Sequence, residues 1–250
     1  MKENLYKYIL GIADNSLILG QRLGELCGHG PSLETDIACT NMSLDLFGQV
    51  RNYYQYAAKV AGDNRTEDDI AMLRMEREYY NVLLVEQPNT NFAYTMARQF
   101  LFDVYHLLFL TELQKSKDLN LSAIAAKCIK EVSYHQRFSS DWIKRLGDGT
   151  DESHQKMQEA IDSLWTYTDE LFHQTEADKL MILEGVGVDV TKLKDTYYKA
   201  VSEVLEVATL KVPESKWFQK GGKQGIHTEH MGYLLSDLQY MQRAYPNMEW

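Results

Sequence analysis

The sequence has little that would interrupt a helix. Its four prolines stand at positions 31, 88, 213 and 246, and no glycine occurs between Gly62 and Gly147. Proline and glycine are the residues a helix interior tolerates least, so long helices are expected between these points. No Asn-Gly or Asp-Gly flanked by alternating β-branched residues marks a hairpin. The three cysteines, Cys27, Cys39 and Cys128, are far apart and form no Cys-x-x-Cys, which argues against a zinc ribbon and against a disulfide framework. No uncharged apolar run is long enough to cross a bilayer, and Met1-Lys2-Glu3-Asn4 lacks the apolar core of a signal peptide. A reducing cytoplasm is the expected location. Positive charge is also short: 26 Lys and Arg face 36 Asp and Glu, a net charge of −10. That balance argues against nucleic acid or an anionic membrane as the main partner.

What is present is helical patterning. At 44% hydrophobic residues over 250 positions, the chain is able to bury a sizeable core. The punctuation predicts helices over about 2–27, 33–61, 66–87, 91–116, 121–146, 153–174, 191–210 and 228–243. Ser32 and Thr66 are placed as N-caps, Gly62 as a stop, and 211–225 as an ordered loop. No shift in composition marks a boundary. The expected architecture is one all-α domain over 1–250, with a core bundle at about 2–146 and accessory helices at about 153–245.

Four of these helices carry apolar stripes at steps of three and four. The first runs Ile9, Ile12, Ser16, Leu19, Leu23, Leu26, and the second Cys39, Met42, Leu46, Gln49, Tyr53, Tyr56, Val60. The fourth runs Met96, Phe100, Asp103, Leu107, Leu110, and the fifth Cys128, Val132, His135, Ser139, Trp142, Leu146. Each stripe has a polar residue near its middle: Ser16, Gln49, Asp103 and His135. In one bundle these four would meet at mid-height, where di-iron and di-manganese sites are built from two lone carboxylates and two Glu-x-x-His pairs. Here the spacing is present and the donors are not. Leu46-Phe47-Gly48-Gln49 and Val132-Ser133-Tyr134-His135 stand where Glu-x-x-His would, and Ser16 stands where a carboxylate would. Only Asp103 and His135 keep metal-capable chemistry. They read either as half of a metal site or as a buried hydrogen-bonded pair.

At these residues the chain resembles, nearly end to end, the PaaC-type structural subunits of bacterial phenylacetyl-CoA epoxidase (phenylacetate-CoA oxygenase) complexes. The resemblance rests on residues 23–29 (LGELCGH), 44–52 (LDLFGQVRN), 84–89 (LVEQPN), 130–135 (KEVSYH) and 221–230 (GGKQGIHTEH). It implies a ferritin-like four-helix bundle with additional C-terminal helices. It also implies a non-catalytic role, because the full di-iron ligand set belongs to the related catalytic subunit. Leu46, Gln49 and Val132 replace ligands of that set, Ser16 falls on a lost carboxylate, and Asp103 and His135 match retained positions. The implied partner is that di-iron subunit, with self-association of the chain when it is isolated. The implied reaction of the complex is insertion of one oxygen atom of O2 into the ring of phenylacetyl-CoA, forming a 1,2-epoxide. Electrons would come from NADPH through a flavin and iron–sulfur reductase subunit, and this chain would bind no cofactor itself. The rival reading is an autonomous di-iron oxygenase or oxidase using Asp45, Glu131 and His135 in a register offset by one. One helical step turns a side chain by about 100°, so that rival needs a different face to line the cavity.

Two smaller motifs remain. Gly221-Gly222-Lys223-Gln224-Gly225 lacks the P-loop pattern and reads as a phosphate cradle for coenzyme A or as a subunit-contact loop. His227 and His230 are spaced by three rather than by the four of His-Glu-x-x-His metalloproteases, so helix capping or an interface is the preferred role.

Overall fold

The computed structural model describes residues 1–215, 217–246 and 248. Among these residues every regular element is helical and none is a strand. The chain is therefore all-α, and it supplies the four long helices a ferritin-like bundle requires. It divides into two compact units, one formed by residues 1–86 and 221–250, the other by 87–220.

The first unit is built on α1 (Lys2–Gly24) and α2 (Leu33–Ala61). Ser32 caps α2 by accepting from the Thr35 amide, Glu34 and Asp36 sit in its first turn, and Gly62 ends it at φ 65°. The two helices are antiparallel: Ser43 donates to the Gly20 carbonyl at 2.7 Å, while Tyr54 reaches Asp14 at 2.6 Å. α1 is buried nearly all round from Tyr8 to Leu23. Gly20 allows close packing, since a Cβ there would lie 3.3 Å from the Leu46 Cβ and the Phe47 ring. The short α3 (Glu67–Met72) follows a Thr66/Asp69 capping box.

The expected helix over 66–87 is a correction. Only six residues of it are α-helical, followed by a 3-10 turn at Glu76–Glu78 and an irregular buried stretch through Gln87. The reason is that α1 supplies partners for the backbone there. The Tyr80 amide donates to Asp14 at 2.8 Å, the Val82 amide to the Asn15 side chain at 2.8 Å, and Arg22 bonds the Glu86 carbonyl at 2.8 Å. Backbone groups satisfied in this way have no need of a helix. The unit closes with α9 (Glu229–Ala244).

The second unit is built on α4 (Phe92–Leu113), capped by Asn91, and α5 (Leu119–Gly147), capped by Asp118. Around them lie α6 (Asp151–Trp165), α7 (Glu176–Leu183) and α8 (Lys194–Val207). α6 ends at Trp165 instead of reaching 174, where a 3-10 turn at Asp169–Phe172 takes over. α7 was not expected. Its signal is the Thr175/Asp178 capping box, which stands ahead of only eight helical residues. The loop over 211–225 is irregular apart from a 3-10 turn at Gly222–Gln224, and residue 216 of that expectation lies outside the described residues.

Candidate functional site

All six stripe positions singled out above are buried. Ser16 is 0% exposed on α1, and Leu46 and Gln49 are 0% and 1% on α2. Asp103 on α4, and Val132 and His135 on α5, are each 0% exposed. Asp45 and Glu131, the offset candidates, are half-buried.

Within the second unit, Asp103 is surrounded by neutral donors. Gln99, one turn earlier on α4, donates from Nε2 at 2.7 Å, and Ser139 on α5 donates from Oγ at 2.8 Å. Burial pushes the carboxyl up to about 7, against the opposing effects of His135 and these two bonds. His106 lies one turn further along α4 and is 3% exposed, with no partner on Nδ1. Burial, with His135 adding to the effect, pushes its imidazole down to about 3. At neutral pH this imidazole is uncharged, and the Asp103 carboxyl one turn earlier is near the midpoint of its titration.

The donor set available to a metal is thin. Among the described residues no group of three or more His, Cys, Asp or Glu side chains is placed to hold a metal ion. In the first unit the stripe positions offer Ser16, Leu46 and Gln49, which are neutral oxygens and an alkyl group. In the second they offer Asp103, Val132 and His135. Neither set fits a pair of irons, which needs several anionic oxygens.

The first unit has a polar centre that the stripes did not reveal. Asp14, 0% exposed, takes Arg74 on both oxygens at 2.6 and 3.0 Å, with Tyr54 and the Tyr80 amide completing the shell. Arg74 also donates to the Ile70 carbonyl at 2.7 Å and lies 4.0 Å from the Tyr79 ring centroid. Burial disfavours its charge, but Asp14 and Tyr54 outweigh that and raise its pKa. Sequence reasoning missed this site. The available signal was Asp14-Asn15-Ser16, three polar residues in succession inside an apolar helix.

The glycine-rich loop and its histidines belong to this unit too. A Cβ on Gly222 would collide with the Asn81 carbonyl, and one on Gly225, at φ 75°, with the Arg77 carbonyl. The glycines therefore let this loop lie directly on the 77–83 segment. Lys223 is half-buried. The His227 side chain is fully buried, 3.0 Å from the Glu86 carboxylate and 3.1 Å from the Tyr79 carbonyl. Burial lowers its pKa, but the bonds to Glu86 and Tyr79 prevail and the net shift is upward. The other Glu86 oxygen accepts the Thr228 amide at 2.8 Å at the start of α9. Here His227 anchors the approach to a helix whose N-cap amide, that of Thr228, is held by Glu86, while His230 is half-buried one turn on.

The family model described as "Phenylacetic acid catabolic protein" matches residues 1–250. A subunit of the 1,2-phenylacetyl-CoA epoxidase of Escherichia coli (strain K12) is 50% identical over 246 residues, which are 98% of this chain and 99% of that protein. No helix among the described residues is long and apolar enough to cross a membrane.

Proposed function

Because the chain belongs to the phenylacetic acid catabolic protein family, we propose that it is a component of a 1,2-phenylacetyl-CoA epoxidase and that its own role is structural. In this reading it pairs with a di-iron catalytic subunit in the cytoplasm, keeps that subunit folded and soluble, and leaves the ring chemistry to it. NADPH, flavin and iron–sulfur chemistry belong to a separate reductase, and this chain binds no cofactor. The observation that carries the reading is the identity of the residues at the would-be ligand positions. Leucine and valine at 46 and 132 donate nothing to a cation, and Ser16 and Gln49 are neutral. The stripes of a metal-binding bundle are retained while the charge that would hold the metal is gone. Asp103 then acts as a buried polar residue held by Gln99 and Ser139, with His135 near enough to act on its charge.

The test is to purify the chain with and without the catalytic subunit, measuring iron on each and the melting temperature of the catalytic subunit. The expected result is iron with the catalytic subunit only, and a melting temperature several degrees higher when this chain is present. Iron bound stoichiometrically by this chain alone, with O2 consumption, would overturn the reading in favour of an autonomous di-iron enzyme. Equal stability of the catalytic subunit in both preparations would remove the scaffold role.

A further inference from the structure

α9 is a helix with one side riveted down and the other side bare. On the inner side Met231, Leu234, Leu235 and Gln239 are buried. Gln239 donates to the Arg74 carbonyl at 3.0 Å and to the Tyr79 hydroxyl at 2.7 Å. Arg243 spends its guanidinium on the Leu73 and Arg74 carbonyls and on Gln239. The outer side carries Tyr233 and Tyr240, two turns apart on one face, at 74% and 62% exposure, with Met241 beside them at 41%. Met75, 63% exposed, lies 3.8 Å from Arg243 and extends the apolar ridge onto the neighbouring turn.

The rim of this ridge is acidic. Glu229 and Asp237 are exposed on α9 itself, and a Cβ on Gly232 would lie 3.6 Å from a Glu76 carboxylate oxygen. Glu78, also exposed, accepts the Met75 amide, and against these four acids stand the exposed Arg77 and Arg243, the latter with bonding partners that are all neutral, which still leaves an acid excess. Tyrosine and methionine concentrate at the centres of protein interfaces, where a rigid ring gives large contact area at low entropic cost. A second copy of this chain, itself at −10, would bring acids against acids. The complementary surface is an apolar patch ringed by Lys and Arg.

We infer that the Tyr233–Tyr240 ridge of α9 is the seat of the catalytic subunit, which meets it with a Lys- and Arg-rimmed apolar patch. The inference rests on the pairing proposed above. The platform suits the task because its inner polar rivets hold the tyrosines in place before any partner arrives, which lowers the entropic cost of docking.

The experiment measures the affinity of the full-length chain for the purified catalytic subunit by titration calorimetry at two salt concentrations. The double variant Tyr233→Ala/Tyr240→Ala is expected to bind about 30-fold or more weakly, as truncated interface anchors do. Asp237→Lys is expected to weaken binding at the lower salt concentration and to reduce the sensitivity of the affinity to salt. Leu44→Glu, at a 62% exposed position of α2, is expected to leave affinity unchanged. The ridge variants should melt with the parent, since both rings are mostly in water. Parent-like affinity of the double variant, loss of binding with Leu44→Glu in its place, or a ridge-dependent dimer of the chain alone would each overturn the inference. Failure of the parent chain itself to bind the catalytic subunit would instead defeat the proposed pairing, and this inference with it.

Discussion

Two aspartates, one in each unit, occupy equally dry positions and are held in opposite ways. Asp14 and Asp103 are both 0% exposed in the middle of long helices. Asp14 has a permanent cation on both oxygens, a phenol and a backbone amide. Asp103 has an amide and a hydroxyl, with an imidazole nearby. A buried charge must be matched or neutralised. The first unit matches it with Arg74; the second lets Asp103 drift toward neutrality, at about 7. A carboxylate tied to a guanidinium is a fixed structural part. A carboxylate among neutral donors keeps its chemistry adjustable.

The widest break in that comparison comes from removing the cation. Arg74→Met should destabilise the protein by about 3–5 kcal/mol, because Asp14 is left charged and unmatched. Urea unfolding would measure this. Adding Asp14→Leu should recover only part of the loss, since it removes the unmatched charge but leaves the Tyr54 hydroxyl and the Tyr80 amide without their acceptor. If the single variant matched the parent, the match between Asp14 and Arg74 would not be structural.

The Asp103 side sharpens the contrast through pH. A carboxyl raised from its ordinary value to about 7 favours the folded state while protonated. Its stabilising contribution is full below about pH 4 and fades as pH rises through 7. At about 1.4 kcal/mol per pKa unit the swing is about 4–5 kcal/mol. Asp103→Asn keeps an acceptor for Ser139 and should flatten stability across that window, as read by melting at pH 5, 6, 7 and 8. A variant with the parent's slope would place the titrating group elsewhere.

A smaller effect separates the second titrating group of this comparison, which sits in the first unit. His227 has a raised pKa, so its pairing with Glu86 stabilises fully below about 6.5, the unfolded value, and is lost as pH climbs past the raised one. His227→Gln should cost about 1–3 kcal/mol at pH 6, as for a buried acceptor left unmatched, and progressively less at higher pH. A constant penalty at every pH would show that only packing was lost.

Legibility in the sequence followed the same divide. The span of α2 could be read to the residue because its signals are local: Ser32 at one end, Gly62 at the other. The stripes of α1, α2, α4 and α5 held at their middles, where Ser16, Gln49, Asp103 and His135 are all buried, while Leu26, Tyr56, Val60, Leu107, Trp142 and Leu146 are only half-buried. Residues 73–87 could not be read, because their backbone is satisfied by Asp14, Asn15 and Arg22, some sixty positions away. Local propensity favours a helix there and tertiary hydrogen bonds overrule it. The Asp14–Arg74 pair was invisible for the same reason, since neither residue announces its partner. The glycines at 221–225 were legible as special but not as to purpose, because what they accommodate is the backbone of 77–83.

The first unit is discontinuous in the chain, with residues 1–86 closed by residues from 221 onward, whereas the second is one uninterrupted segment. Synthesis from the N-terminus therefore completes the later-starting unit first. Until the residues from 221 onward leave the ribosome, Glu86 lacks His227 and Arg74 lacks the Gln239 that bonds its carbonyl, so α1 and α2 wait unfinished. A nascent chain released early would keep an intact insert beside an open half, and that open half is what cellular quality control would find.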